Sequence, residues 1–308
     1  MEPIMFHYFH DDGNKYKKVD GSLSFEDLEA IILNDEYKVL DFDVWLNKFF
    51  SDSLAENETC LTFDDGIKEQ YDVAVKVLDK HNVQGLFGFC SMYFNGDQDS
   101  FEIYRYYRNY FFEKIDDYYD AYFSFLLNNE HYKNLYLLTI DNVNFDEYLS
   151  HATFYSTQDR KFRYFRDIVF RDEHVKIMDK MIEQSGINVN EMAERLWISQ
   201  EELSEISKNH VIAIHSHEHP TTIDSWSYEE QLLSYSINKK ILEENIGRTI
   251  DCSVYPCGKY NENTQLVLES LGIRAGFIAS QTQPIDSNFP FLIPRIDSTD
   301  FCKLIGIK

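Results

Sequence analysis

Residues 59–89 read TCLTFDDGIKEQYDVAVKVLDKHNVQGLFGF. Thr59 to Phe63 alternates as a strand does and stops at Asp64-Asp65-Gly66. Ile67, Tyr71, Ala74, Val75 and Leu78 then recur at helical spacing, and Val83 to Phe89 reads as a second strand. Strand, helix, strand within about thirty residues is a β-α-β unit, which points to a parallel α/β architecture.

The alternation extends both ways. Upstream, Ile4 to Tyr8 reads as a strand. Ser24, with Asp27 three residues on, forms a capping box for a short helix carrying Leu28, Ile31 and Ile32. Downstream, Val211 to Ile214 is a strand running into His215. Ser227 and Glu230 frame a helix bearing Leu233, Ile237, Ile241 and Leu242, which Gly247 closes. A strand at Asp251 to Tyr255, a helix at Thr264 to Leu271, and strands at Ile273 to Ile278 and Phe291 to Ile296 complete the series. From about 95 to 208 the pattern changes. Residues 101–125 hold twelve aromatics, Arg163 to Ile182 reads as helix closed by Gly186, and strand signals are few. We expect one domain over 1–308, an α/β barrel with a large, mostly helical insertion at about 95–208. The aromatic stretch reads mainly as helix–helix core, with a few rings available to stack on sugar.

Composition narrows the functional classes. The 308 residues carry 53 acidic and 29 basic side chains, a formal net charge of -24. Such a surface repels phosphate backbones and anionic lipid, so neither nucleic acid nor a membrane surface is an expected partner. No apolar run approaches the roughly 20 residues of a spanning helix, and MEPIMFHYFHDD lacks the basic and apolar regions of a secretory signal. Five scattered cysteines, with no CxxC among them, fit a reduced compartment. The expected location is cytoplasmic.

Two clusters stand at C-terminal ends of strands, where barrel active sites lie. In Leu61-Thr62-Phe63-Asp64-Asp65-Gly66, neighbouring carboxylates repel unless a cation or proton is shared. In His215-Ser216-His217-Glu218-His219-Pro220, three of the chain's ten histidines fall within five residues. Imidazoles at i and i+4 converge on one ion if the segment turns helically. His217 is then the odd one out, a support for a ligand. One carboxylate and two imidazoles make a three-ligand site with room for water, the pattern of a catalytic metal. Asp64 becomes a candidate base for that water.

The pair TFDDG and H-S-x-x-H, in this order, resembles the polysaccharide deacetylases of the NodB type, carbohydrate esterase family 4. Ser253 to Asn261, SVYPCGKYN, is similar to the family's third motif. Leu292-Ile293-Pro294-Arg295-Ile296 looks like its LPRI segment, and Met5-Phe6-His7 like the M-Y-H opening of a circularly permuted subgroup. The resemblance implies a distorted (β/α) barrel that removes acetyl from an N-acetylated sugar or oligosaccharide. It makes Asp65, His215 and His219 the ligands of a divalent ion, usually Zn2+, and Asp64 the general base. The backbone N–H of Cys257 would donate to the oxyanion, since Cys257 stands where relatives have tyrosine. The usual third-motif arginine falls at Val254, so Arg295 is the expected substitute for orienting the base. No histidine follows His219, so the general acid is expected from the first strand, at His7 with His10 as competitor. Deformylation or hydrolysis of another small amide fits the same site. A carbohydrate-binding relative without turnover is the reading from another class. Oligomeric state is not legible in the sequence.

Overall fold

The computed structural model describes residues 1–13, 15–19, 21–150, 155–279 and 284–307. Packing divides the chain into two units, one formed by Met1–Asp99 with Leu196–Lys308, the other by Ser100–Arg195.

The first unit is built on parallel strands. They are β1 (Ile4–Phe6), β2 (Lys38–Val39), β3 (Glu58–Thr59), β4 (Leu61–Phe63), β5 (Leu86–Phe89), β6 (Val211–Ile214), β7 (Cys252–Val254), β8 (Ala275–Phe277) and β9 (Ile296–Asp297). Among the described residues, seven of these form one sheet in the order β8-β7-β6-β5-β4-β1-β9, while β2 and β3 pair separately. Every pairing in the sheet is parallel. The six strands from β1 and β4 to β8 are short and almost wholly buried on both faces, as parallel strands covered by helices must be. Phe6, Phe63 and Phe87 stack across β1, β4 and β5, with ring centroids 5.1 and 4.5 Å apart. The curled, all-parallel sheet with intervening helices is the distorted (β/α) barrel expected from the sequence.

The Phe291 to Ile296 segment differs from expectation. Ile293 makes an isolated parallel bridge to Phe277, and strand geometry resumes only at Ile296–Asp297, opposite Ile4 and Met5. One stretch of chain therefore touches both edges of the sheet order, and Arg295 lies between those two contacts instead of within a strand. The helix after Asp-Asp-Gly also differs. Gln70–Val75 is a wide π-turn that passes into an α-helix at Lys76–His81. Gln70, at its start, donates its amide to the carbonyls of His7 and Asp64, at 2.9 and 2.6 Å. Such widened turns recur at functional sites. Both capping boxes are present, Ser24 with Asp27 and Ser227 with Glu230, and Gly247 ends its helix at φ 68°.

The Tyr228–Ile246 helix corrects the expected apolar face. Leu233 is 64% exposed, whereas Gln231, Ser234, Tyr235, Asn238 and Leu242 are buried. Polar side chains face inward because they hydrogen-bond groups of the loops beneath them, Ser234 and Asn238 at the His217 and His215 N–H groups and Gln231 at the Asn261 side chain.

The second unit is helical, with helices at Ser100–Tyr110, Ile115–Asn128, Glu130–Asn142, Thr157–Tyr164 and His174–Gln184. The expected continuous helix over 163–182 is broken by a π-turn at Phe165–Val169 and a tight turn through Phe170 and Glu173. Tyr107, Tyr118, Tyr119, Tyr122 and Phe123 are buried, and Phe162 meets Tyr118 and Tyr122 edge-on at 5.3 and 4.9 Å. These aromatics serve as core, while Phe101 and Phe111 are exposed. Among the described residues, no helix is long and apolar enough to cross a membrane.

Candidate active site

Because the strands are parallel, the loops after β1, β4, β6 and β7 emerge at one end of the sheet, and these four carry His7, Asp64 and Asp65, His215 to His219, and Cys257. The Asp64-Asp65-Gly66 corner turns by left-handed backbone, with φ 75° at Asp65 and 66° at Gly66. A Cβ on Gly66 would lie 2.5 Å from the Phe89 ring, so only glycine fits beneath that corner.

The His215–His219 loop is not helical. It folds through left-handed Ser216 (φ 62°) and His219 (φ 52°), and that reversal brings the two imidazoles together where helical spacing was expected to. Of the seven described non-glycine residues with positive φ, four are Asp65, Ser216, His219 and Cys257. Left-handed geometry costs such residues roughly 1–2 kcal/mol each, and its concentration here marks a site whose surroundings enforce it.

Nε2 of His215 lies 3.1 Å and Nε2 of His219 3.3 Å from Oδ1 of Asp65. One ligand atom from each of the three lies within 4.8 Å of the others, and all three residues are buried. The remaining imidazole nitrogens are occupied. Nδ1 of His215 is 2.9 Å from the Val254 carbonyl, and Nδ1 of His219 is 3.1 Å from Oδ2 of Asp99. With a cation bound, both Nδ1 atoms would donate and both Nε2 lone pairs would face the ion beside the carboxylate. Three electron-pair donors aimed at one point repel unless positive charge lies among them. Two imidazoles and one carboxylate therefore fit a divalent cation of zinc type with a coordination position left open. Asp65 is ionised. Burial opposes this, but without a cation the charge of His219, a hydrogen bond from His215 and the charge of His7 outweigh it and hold the carboxyl well below its ordinary range.

Asp64, 2% exposed, points elsewhere. Arg295 donates Nη1 to its Oδ1 at 2.7 Å and Nη2 to its Oδ2 at 2.6 Å, a two-pronged grip. The guanidinium is anchored by the Ile278 carbonyl and the Thr62 hydroxyl, each at 3.2 Å. Burial again works against ionisation, and the Arg295 charge and hydrogen bonds overcome it, with His215 and His7 adding, so the Asp64 carboxyl sits below its usual range. Adjacent carboxylates are thus separately neutralised, one by arginine and one by imidazoles.

His7 is half-buried directly after β1, near enough for its charge to act on both aspartates. His10 is tied by Nδ1 to Ser22 at 2.9 Å. Cys257 is exposed, at φ 52° within the turn Pro256–Gly258. Val254 is buried, and its Cγ2 would lie 2.1 Å from a Cβ placed on Gly88.

Several contributors escaped the sequence reading. Asn238 accepts from the His215 N–H at 2.9 Å and donates to the Phe89 carbonyl at 3.0 Å, clamping the ends of β5 and β6. Ser234 accepts from the His217 N–H at 3.0 Å. His217 itself is a support, its Nδ1 2.8 Å from the Ser91 hydroxyl. Gln231, Ser234 and Asn238 recur at helical spacing, a polar stripe that was legible as a signal. Asp99, in the polar run Asn95 to Ser100, carried no pattern.

Comparison with known proteins accords with this geometry. Residues 144–276 match the polysaccharide deacetylase family. The family resemblance drawn from the motifs is borne out, and the matched span includes both the His215–His219 loop and the Tyr255–Asn261 loop. Among solved structures, the chain is similar to the Streptococcus pyogenes deacetylase PplD in complex with acetate, with TM-score 0.57 and 12% identity over 99% of this chain and 98% of that one. It is also similar to IcaB from Ammonifex degensii, with TM-score 0.57 and 12% identity over 99% and 96%. A de-N-acetylase from Aggregatibacter actinomycetemcomitans gives TM-score 0.55 and 13% identity over 99% and 98%. At such identities these likenesses speak for the polysaccharide deacetylase fold. No curated protein matches the chain.

Proposed function

We propose that this chain is a metal-dependent hydrolase that removes acetyl from an N-acetylated amino sugar, releasing acetate and a free amine. The observation that carries the proposal is the convergence of Asp65, His215 and His219 beside an ionised, arginine-held Asp64. The deacetylase family match and structural neighbours support the reaction class.

Asp65, His215 and His219 would hold the cation, most simply Zn2+, whose chemistry there is that of a Lewis acid toward the acetamide carbonyl. Asp64, kept ionised by Arg295, accepts a proton from the attacking water. As the new C–O bond forms, the backbone N–H of Cys257 donates to the developing oxyanion. His7, protonated at the start, gives its proton to the nitrogen as the C–N bond breaks. The net change is one water consumed, with acetate and the amine in its protonated, ammonium form produced. His7 and Asp64 then exchange their protons with solvent.

The test is amine release from N-acetylglucosamine oligomers with and without added zinc, for the parent and for Asp64→Asn. Zinc-dependent release that is lost in Asp64→Asn is expected. Sugar binding with no release under any divalent metal would favour a carbohydrate-binding protein without turnover, and release from formamides alone a deformylase.

A further inference from the structure

We propose that Asp99 is a positioning residue for His219, holding its imidazole in the Nδ1–H tautomer so that Nε2 faces the shared cation. The proposal rests on the metal-site reading above. Oδ2 of Asp99 lies 3.1 Å from Nδ1 of His219, and both side chains are nearly buried, at 10% and 7% exposure.

The two imidazoles of the cluster are held by different means. His215 follows directly from β6. Its N–H is taken by Asn238 and its Nδ1 by the Val254 carbonyl, so backbone and a clamped helix fix it. His219 lies four residues further along a loop and has left-handed backbone. Such a ring needs a side-chain restraint to point consistently, and a carboxylate both orients it and increases its basicity toward a metal more than a neutral carbonyl does. An ionised carboxylate only accepts hydrogen bonds, so with Nε2 given to the cation the ring keeps its one proton on Nδ1, toward Asp99.

The contact belongs to a built interface between two loops. Met92 donates its N–H to the His217 carbonyl at 3.1 Å, the Ser91 hydroxyl meets Nδ1 of His217 at 2.8 Å, and Asp99 reaches His219. Within the 91–99 loop, Gly96 and Asp97 bond back to Tyr93 and Met92 at 3.2 Å each. Residues 91 to 99 thus run alongside residues 215 to 219 and deliver a carboxylate where His219 needs one.

The experiment compares full-length parent with Asp99→Ala and Asp99→Asn. Zinc affinity is measured by chelator competition, the ring tautomer of His219 by 15N-histidine NMR of metal-free protein, and stability by urea unfolding. We expect Asp99→Ala to lower zinc affinity about 10–100-fold and shift His219 away from the Nδ1–H form. Asp99→Asn, which keeps an acceptor oxygen, should recover part of both. An unchanged tautomer and affinity in Asp99→Ala, with or without a lower urea midpoint, would overturn the assignment. Should the parent bind no zinc, the metal-site reading fails, while the metal-free NMR comparison still decides what Asp99 does to His219.

Discussion

Arg295 holds both carboxylate oxygens of Asp64 across a separation of 231 residues, with the guanidinium itself fully buried. Removing one partner of such a pair strands the other charge without water. Arg295→Met should therefore cost about 3–5 kcal/mol in urea unfolding. The pH consequence has a definite sign. The guanidinium holds the Asp64 carboxyl below its ordinary range, and Asp64 in its proposed role as base would work only when ionised. Loss of the guanidinium raises that pKa, so the acid limb of kcat/KM should move to higher pH. Arg295→Lys, which keeps charge but not the fork, should move it less.

Gly88 and Val254 fit together without slack. A methyl at Gly88 meets Cγ2 of Val254 at 2.1 Å, closer than atoms can approach. Gly88→Ala should destabilise by about 1–3 kcal/mol through overpacking. Adding Val254→Ala should relieve part of this, giving a coupling energy above about 0.5 kcal/mol in a double-mutant cycle.

Zinc should stabilise the parent against heat, by about 2.7 kcal/mol when free zinc stands at a hundred times its dissociation constant. Asp65→Asn, His215→Gln and His219→Gln should each abolish the response, and a chelator should reverse it in the parent. A parent melting temperature indifferent to zinc, manganese and cobalt would remove the basis for a cation in this cluster.

His174 supplies a pH signature in the helical unit. Its ring is set among Tyr104, Tyr122 and Phe162, and its Nδ1 is buried with no hydrogen-bond partner among the described residues. Burial pushes its pKa down to about 4 from 6.5, with Arg166 assisting. The unfolded chain then binds more protons between those values, so stability falls as pH drops from 6.5 to 4, by at most about 3 kcal/mol. His174→Phe should flatten that part of the stability curve, read as the difference between variant and parent in urea unfolding.

Much of the barrel was legible because local chemistry and tertiary role agree in it. Ser24 with Asp27 and Ser227 with Glu230 satisfy orphan helix N–H groups wherever they occur, and apolar runs ending at Asp64 and His215 locate strand ends. The helix at Tyr228–Ile246 was misjudged on its faces because periodicity counts apolar residues, whereas this helix is docked by Ser234 and Asn238 to the backbone of site loops and by Gln231 to the Asn261 side chain. The His215–His219 loop was legible in its residue types but not in its shape. Left-handed Ser216 and His219 are imposed by surrounding contacts and have no signature in residue order. Asp99 was invisible for a related reason. Its partner lies 120 residues away, and an aspartate in a polar loop resembles any other.

The chain leaves the barrel unit after Asp99 and re-enters it at Leu196, and within the barrel unit each of these points adjoins a loop that carries a proposed metal ligand. The outgoing chain passes through Asp99, the carboxylate at His219, immediately before Ser100. The returning chain bridges Trp197 to Ile67 and bonds the Ile198 N–H to the Gly66 carbonyl at 3.0 Å, one residue beyond Asp65. A protein engineer who swapped residues 100–195 for another module would inherit two fixed ports. The cargo between them is exchangeable in principle. A cut that strayed past either port would instead loosen the hinge of a ligand, so graft boundaries placed a few residues apart should yield chimeras with very different zinc retention.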